Sequence, residues 1–176
     1  LYPLPSWNIN NAYLKDKALI YSISRQESGF NPRAKSYANA LGLMQILPST
    51  AAFIMKNRLY RYKSKKNMLY NVDENLKIGT KYIKFLLGLD IVDNDVIKML
   101  ASYNAGPGNF KKWTKNLNTI KKFDPLLMIE TLPARQTRNY IKLVLTNLWI
   151  YRFRLKEEPY MIPALASGEE TKYIKR

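Results

Sequence analysis

Histidine and cysteine are both absent from this 176-residue chain. Without cysteine there is no thiol nucleophile and no disulfide, and without histidine there is no imidazole base; Cys/His zinc sites are excluded with them. Acid–base chemistry therefore falls to Asp, Glu, Lys or Tyr, and no metal or other cofactor is expected. Long apolar runs are missing too: nothing reaches the ~18 residues that span a bilayer, so no transmembrane segment is expected. Acidic residues are scarce, 13 against 29 Lys and Arg, leaving a formal charge of +16. That balance fits a polyanionic partner, whether nucleic acid, anionic lipid or an acidic cell-wall polymer. The lack of cysteine suits an exposed compartment as well as the cytosol. LYPLPSW at the start has neither an initiator Met nor the basic-then-apolar pattern of a signal peptide, and is read as the beginning of a piece of a longer chain.

What is present suits a single folded domain: 47% of the residues are hydrophobic, enough for a real core. From Asp16, a plausible N-cap, apolar residues at Leu19, Ile20 and Ile23 predict a helix, and the same stripe reaches Glu27 four residues on. Gly29 and Pro32 end it. AKSYANALGLMQILPST reads as a loop with a short strand pair around it, with positive φ cheapest at Asn39 and Gly42. Pro48 with Ser49 or Thr50 opens a helix through AAFIMKN, and the basic RLYRYKSKKNMLY after it reads as an exposed loop. Asp73 is expected to cap a helix striped by Leu76, Gly79, Ile83 and Leu86 or Leu87 and stopped at Gly88. Asp93 is expected to cap the next, which breaks at ASYNAGPG. Pro107 starts a short helix with Phe110 and Trp113, and Asp124–Pro125 another ending near Glu130. Pro133 begins the longest, striped by Thr137, Ile141, Val144, Leu148 and Tyr151. Residues 1–15 are read as a lead-in and 157–176 as a tail. About seven or eight helices and little strand make the chain mainly α, with no internal repeat.

Chemistry concentrates in short stretches. A carboxylate on an apolar stripe loses hydration, which raises its pKa and keeps the proton in place near neutral pH; Glu27 is placed that way. The plainer alternative is a helix-end Glu turned to solvent or paired with Arg25 or Arg33. YNAGPG, residues 103–108, is turn chemistry, but Tyr103 closes an apolar face from which its hydroxyl can meet a buried carboxyl. In GLMQ, residues 42–45, Gln45 either satisfies core backbone groups or serves sugar hydroxyls and N-acetyl groups; spacing does not choose.

Taken together, ESGFNP with Ser36 nine residues after the Glu, GLMQILPSTA, ASYNAGPGNF and LPARQTRNYIKLVL occur in an order and spacing that resembles the catalytic domain of the soluble lytic transglycosylases, relatives of goose-type lysozyme. The resemblance covers essentially the whole chain. It implies an α+β lysozyme-like fold, with helices around a substrate cleft and at most a small β-hairpin or sheet. It also implies cleavage of the β-1,4 bond between N-acetylmuramic acid and N-acetylglucosamine in peptidoglycan. One Glu, here Glu27, would donate the proton and then act as base toward the muramic C6 hydroxyl, giving a 1,6-anhydro product. No second carboxylate is then needed, because the substrate's own N-acetyl oxygen can steady the cationic centre; Asp73, Glu74 and Asp124 read better as caps or first-turn acids. By the same likeness Tyr103 would orient Glu27, while Ser36, Met44 and Gln45 would hold substrate, the first and last its acetamido groups. Asn104 would shape the cleft wall, Tyr140 would line it, and Glu130 is a weaker binding candidate. Arg138 is read as structural.

The chain departs from the family pattern in three places. Gln136 stands where the last motif usually has Glu, which removes a charge that would raise the pKa of Glu27. Leu47 replaces Met at similar volume. Asn39 replaces Gly in a left-handed turn that Asn tolerates. The resemblance implies a periplasmic, monomeric enzyme on peptidoglycan glycan strands, with no nucleic acid as partner. The alternatives are a hydrolytic muramidase on the same fold and a non-catalytic glycan- or nucleic-acid-binding basic module.

Overall fold

The computed structural model describes residues 2–7, 9–115 and 124–174, apart from the side chain of Ser64. It divides into two compact units, the first through Phe85 and the second from Leu86. The described residues are mainly helical, and the extended pairings among them are isolated bridges, Lys35 with Leu41, Leu41 with Ile46 and Asp95 with Lys172. A mainly α chain with at most a hairpin's worth of strand is therefore what forms.

The first unit is built on α1 (Lys17–Ser28), whose N-terminus is capped by Asp16 accepting from the Leu19 N–H at 3.0 Å. Leu19, Ile20 and Ile23 are fully buried. Gly29 closes the helix at φ 58°, returning its N–H to the Arg25 carbonyl, a left-handed position that costs other residues more. The lead-in is not a loose appendage. Trp7 packs edge-on against Tyr21 at 5.7 Å and tilts against Phe30 at 5.5 Å, Tyr2 lies under the Arg25 guanidinium, and the Tyr21 hydroxyl donates to the Pro5 carbonyl.

After the loop 34–47 comes α2 (Pro48–Ile54). Pro48 sits in its first turn, but neither Ser49 nor Thr50 is the cap, and the helix stops at Ile54, short of Asn57. RLYRYKSKKNMLY is no exposed loop. It folds as a 3-10 turn (Arg58–Arg61), α3 (Lys63–Lys66) and a second 3-10 turn (Asn67–Tyr70), because Tyr60 and Leu69 are pulled into the core while the cations between them stay outside. α4 (Val72–Leu87) follows. Its first turn is capped by Asn71, which accepts from the Glu74 N–H at 3.0 Å, and Asp73 falls inside the helix as a first-turn acid.

In the second unit α5 (Val96–Ala105) is capped by Asp95, not Asp93; Asp95 accepts from the Lys98 N–H at 2.8 Å, while Asp93 and Asn94 occupy left-handed backbone in the turn before it. The other oxygen of Asp95 accepts from the Thr171 N–H and hydroxyl at 2.8 and 3.0 Å, so one buried acid ends a helix and fastens the tail. The tail signal thinned in sequence because its helix, α9 (Met161–Ala166), is short, yet Met161, Leu165 and Thr171 are buried. The unit also holds α6 (Pro107–Lys115), α7 (Pro125–Thr131), capped by Asp124, and α8 (Arg135–Arg154). The predicted stripe Thr137, Ile141, Val144, Leu148 and Tyr151 is buried throughout.

The close fit between α4 and the loop depends on Gly79, where a Cβ would lie 2.3 Å from the Met44 sulfur and 3.1 Å from its Cβ. Overpacking of this kind costs about 1–3 kcal/mol, against the ~1 kcal/mol that Ala gains over Gly in a helix. Gly79→Ala is therefore expected to lower the urea midpoint at an unchanged m-value, and a midpoint equal to or above the parent's would show that Met44 moves aside freely.

Candidate active site

Glu27 lies in the last turn of α1, half-buried, on the stripe that starts at Leu19 and Ile23. The next residue, Ser28, ties that turn to the following loop: its hydroxyl donates to the Leu43 carbonyl at 2.8 Å and shares a longer bond with Ser24. The backbone beside Glu27 is thereby registered to the residues that come after it.

That loop is ordered from within. The Ser36 N–H donates to the Ala40 carbonyl, and the Ala40 N–H returns to the Ser36 hydroxyl, both at 3.0 Å. Asn39 turns the chain there at φ 63°. Leu41 and Ile46 exchange backbone bonds at 3.0 Å, and Gln45, at φ 47°, donates its amide hydrogens to the Gly42 and Ala34 carbonyls at 2.8 and 3.2 Å. The Gln45 nitrogen therefore satisfies backbone, the first of its two sequence readings. Met44 is wholly buried beneath the loop, its sulfur facing Gly79, so it supports the loop and does not line its surface.

The loop is fastened by one side chain that sequence reasoning passed over. Asn75, fully buried in α4, accepts from the Met44 N–H at 2.8 Å and donates to the Leu41 and Leu69 carbonyls at 2.9 and 2.7 Å. Gly42 is required above it: a Cβ there would come within 2.1 Å of the Leu69 carbonyl and 2.3 Å of the Asn75 amide, and the backbone sits at φ 75°.

In the second unit Tyr103 and Asn104 occupy the last turn of α5, both half-buried. YNA is thus helix, and the turn begins at Gly106. Buried Thr137 of α8 donates its hydroxyl to Asn104 Oδ1 at 2.9 Å. Tyr140, one turn further along α8, is 5% exposed. Arg138 donates to the Leu132 carbonyl at the end of α7. Glu130 is exposed and pairs with Lys142 at 2.5 Å on the rim of an apolar pocket lined by Leu126, Leu127 and Trp149. Glu27, Ser36, Met44 and Gln45 thus belong to the first unit, and Tyr103, Asn104, Glu130 and Tyr140 to the second.

The model of the transglycosylase SLT domain family matches residues 7–124. The chain belongs to that family. The soluble lytic murein transglycosylase of Escherichia coli K12 is 33% identical over 171 residues, which are 95% of this chain and 26% of that protein. Membrane-bound lytic murein transglycosylase C of Glaesserella parasuis is 32% identical over 76% of the chain and 41% of its own length. Among solved structures, the 70 kDa soluble lytic transglycosylase from Escherichia coli superposes with a TM-score of 0.72 at 33% identity, covering 89% of this chain and 24% of that one. This SLT domain chain spans about a quarter of the length of the soluble relative it matches.

Ser28, Asn75 and Thr137 are the SLT-domain residues that periodicity did not single out as functional. For Asn75 a signal existed: Val72, Asn75, Leu76 and Gly79 follow helical spacing, and an amide on a buried stripe requires partners. Truncating it strands buried backbone groups, each costing about 1–3 kcal/mol. Asn75→Ala is expected to destabilise by about 3 kcal/mol, and Asn75→Asp at least as much, because a carboxylate would face the Leu41 and Leu69 carbonyls. Denaturant midpoints and amide exchange at Met44 check this; undiminished protection of the Met44 amide would show that the clamp is dispensable.

Proposed function

We propose that this chain is the catalytic part of a peptidoglycan lytic transglycosylase, a single lysozyme-like catalytic domain over residues 1–176. The observation that carries the reading is the pairing of a half-buried acid, Glu27, with an internally bonded loop registered to it through Ser28. The loop offers Ser36 and the Gln45 carbonyl oxygen, suited to the acetamido groups of a glycan.

Glu27 gives its proton to the glycosidic oxygen as the bond from the muramic C1 breaks. The substrate's N-acetyl oxygen steadies the cationic centre. The carboxylate then takes the proton of the C6 hydroxyl while that oxygen bonds to C1, so the acid is restored and no water is consumed. The rival acids have other work. Asp124 caps α7, Asp73 sits in the first turn of α4, Glu74 accepts from the Tyr60 hydroxyl, and Glu130 pairs with Lys142. The family likeness assigns Tyr103 to the orienting of the acid and Asn104 and Tyr140 to the substrate's surroundings; within the second unit the bond from Thr137 fixes Asn104 in its rotamer.

The relatives are named for murein, and on that basis the substrate is the bacterial wall and the place of action the periplasm. Among the described residues no helix is long and apolar enough to cross a membrane. The chain acts as a monomer, with no cofactor.

Glu27→Gln keeps the shape and removes the proton, so lysis of purified sacculi is expected to fall by roughly 10³-fold at an unchanged circular dichroism spectrum. Tyr103→Phe is expected to cost about tenfold and to alter the acid limb of the pH profile, as the orienting role assigned to it requires. Substantial lysis by folded Glu27→Gln would remove this acid from the mechanism.

A further inference from the structure

Two successive residues leave the end of α1 in left-handed backbone, Gly29 at φ 58° and Phe30 at φ 70°. Glycine takes that conformation at little cost, whereas a Cβ there crowds the neighbouring backbone. At other left-handed positions the chain uses Asn or Asp, as at Asn39, Asp93 and Asn94, whose short polar side chains tolerate it. A bulky ring in such a place persists where its surroundings fix it, and strained positions of this kind gather at active sites. Phe30 is the third residue after Glu27.

The lead-in is what fixes Phe30. Its ring lies 5.5 Å from that of Trp7, and Trp7 stands edge-on to Tyr21 at 5.7 Å. Tyr21 is buried and donates its hydroxyl to the Pro5 carbonyl at 2.6 Å, while the Arg25 guanidinium covers Tyr2 at 4.1 Å. Tyr21, Arg25 and Phe30 thus grip the lead-in, and Trp7 bridges two of the three. The backbone carries this contact to the acid's turn: the Gly29 N–H donates to the Arg25 carbonyl at 3.0 Å and the Asn31 N–H to the Ser28 carbonyl at 3.1 Å. The turn that holds Glu27 is therefore tied at two points of the first unit, to the loop through Ser28 and to the lead-in through Phe30.

We propose that Trp7 is a positioning residue for the Glu27 carboxyl and acts on it through Phe30. The proposal rests on the reading of Glu27 as the acid of a lytic transglycosylase. That chemistry asks one carboxyl to serve two atoms in turn, the glycosidic oxygen and then the C6 hydroxyl, and a misplacement on the order of 1 Å costs up to about 10²-fold. With the turn braced, the carboxylate meets the C6 hydroxyl. With the brace removed, water competes: its oxygen bonds to C1, its proton passes to the Glu27 carboxylate, and the glycan strand ends in a reducing sugar. Trp7 touches no substrate; it biases which nucleophile the carboxylate serves.

Two readings in the full 176-residue chain test this. The ratio of 1,6-anhydromuramyl to reducing ends released from sacculi does not depend on how much enzyme is folded, and amide exchange at Gly29 and Asn31 does not depend on activity. Trp7→Ala is expected to lose about tenfold in turnover, to raise the share of reducing ends and to speed exchange at both amides about tenfold. Trp7→Phe, which keeps a ring against Phe30, is expected to restore most of each. Phe30→Gly suits the left-handed backbone but offers Trp7 no ring; it is expected to shift the end ratio in the same direction, and it decides the matter if Trp7→Ala does not fold. An end ratio and exchange rates equal to the parent's in folded Trp7→Ala, or in Phe30→Gly, would overturn the proposal. So would lost turnover at an unchanged end ratio, since Trp7 would then support folding alone. Parent digests holding only reducing ends would overturn the proposed activity, with the brace still judged by exchange and turnover; anhydromuramyl ends in equal proportion from parent and Trp7→Ala would overturn the brace and leave the activity standing.

Discussion

Three backbone groups meet on one buried amide: the Met44 N–H and the Leu41 and Leu69 carbonyls all bond to Asn75. Left unpaired in the core they would be costly, and no apolar side chain could answer a donor and two acceptors at once. The amide fixes more than stability. Because it bonds both arms of a turn and a neighbouring 3-10 segment, it sets the height of the loop above α4. Gly42 and Gly79 exist at contacts too close for a Cβ so that the loop and Met44 can reach that position.

Rigidity there is what a one-acid mechanism requires. A conventional glycosidase shares proton transfer and charge stabilisation between a pair of carboxylates, whereas a single acid relies on the substrate's own acetamido oxygen for the second role. The acetamido group must then be held accurately. A loop whose hydroxyl, carbonyls and amide are already bonded to one another loses little entropy on meeting a sugar. Ser28 carries the same order to the helix turn that holds Glu27, so the acid and the loop residues proposed to hold the sugar share one frame within the first unit.

Much of this was legible from periodicity and turn chemistry. The stripe through Leu19 and Ile23 located Glu27, Asp16 and Gly29 marked the ends of α1, and Asn39 and Gly42 took the positive φ expected of them. These are local properties, decided within a turn or two of the residue. The misses are long-range. Tyr60 and Leu69 gave RLYRYKSKKNMLY no period, yet burial by distant partners turned it into helical pieces. Asp95 outcompeted Asp93 as a cap because Thr171, 76 residues away, bonds its second oxygen. Met44 read as a substrate contact from its motif, but the space beneath it at Gly79 draws it into the core. Asn75 announced itself only as a polar residue on an apolar stripe, and its partners lie up to 34 positions away.

The most direct measurement is the mass of the glycan ends that the protein releases from purified sacculi. If Glu27 works alone and the C6 hydroxyl attacks, the ends are 1,6-anhydromuramyl, lighter by one water than their hydrolytic counterparts. Reducing muramyl ends would contradict this, since a water would then be the nucleophile and another residue would have to position it.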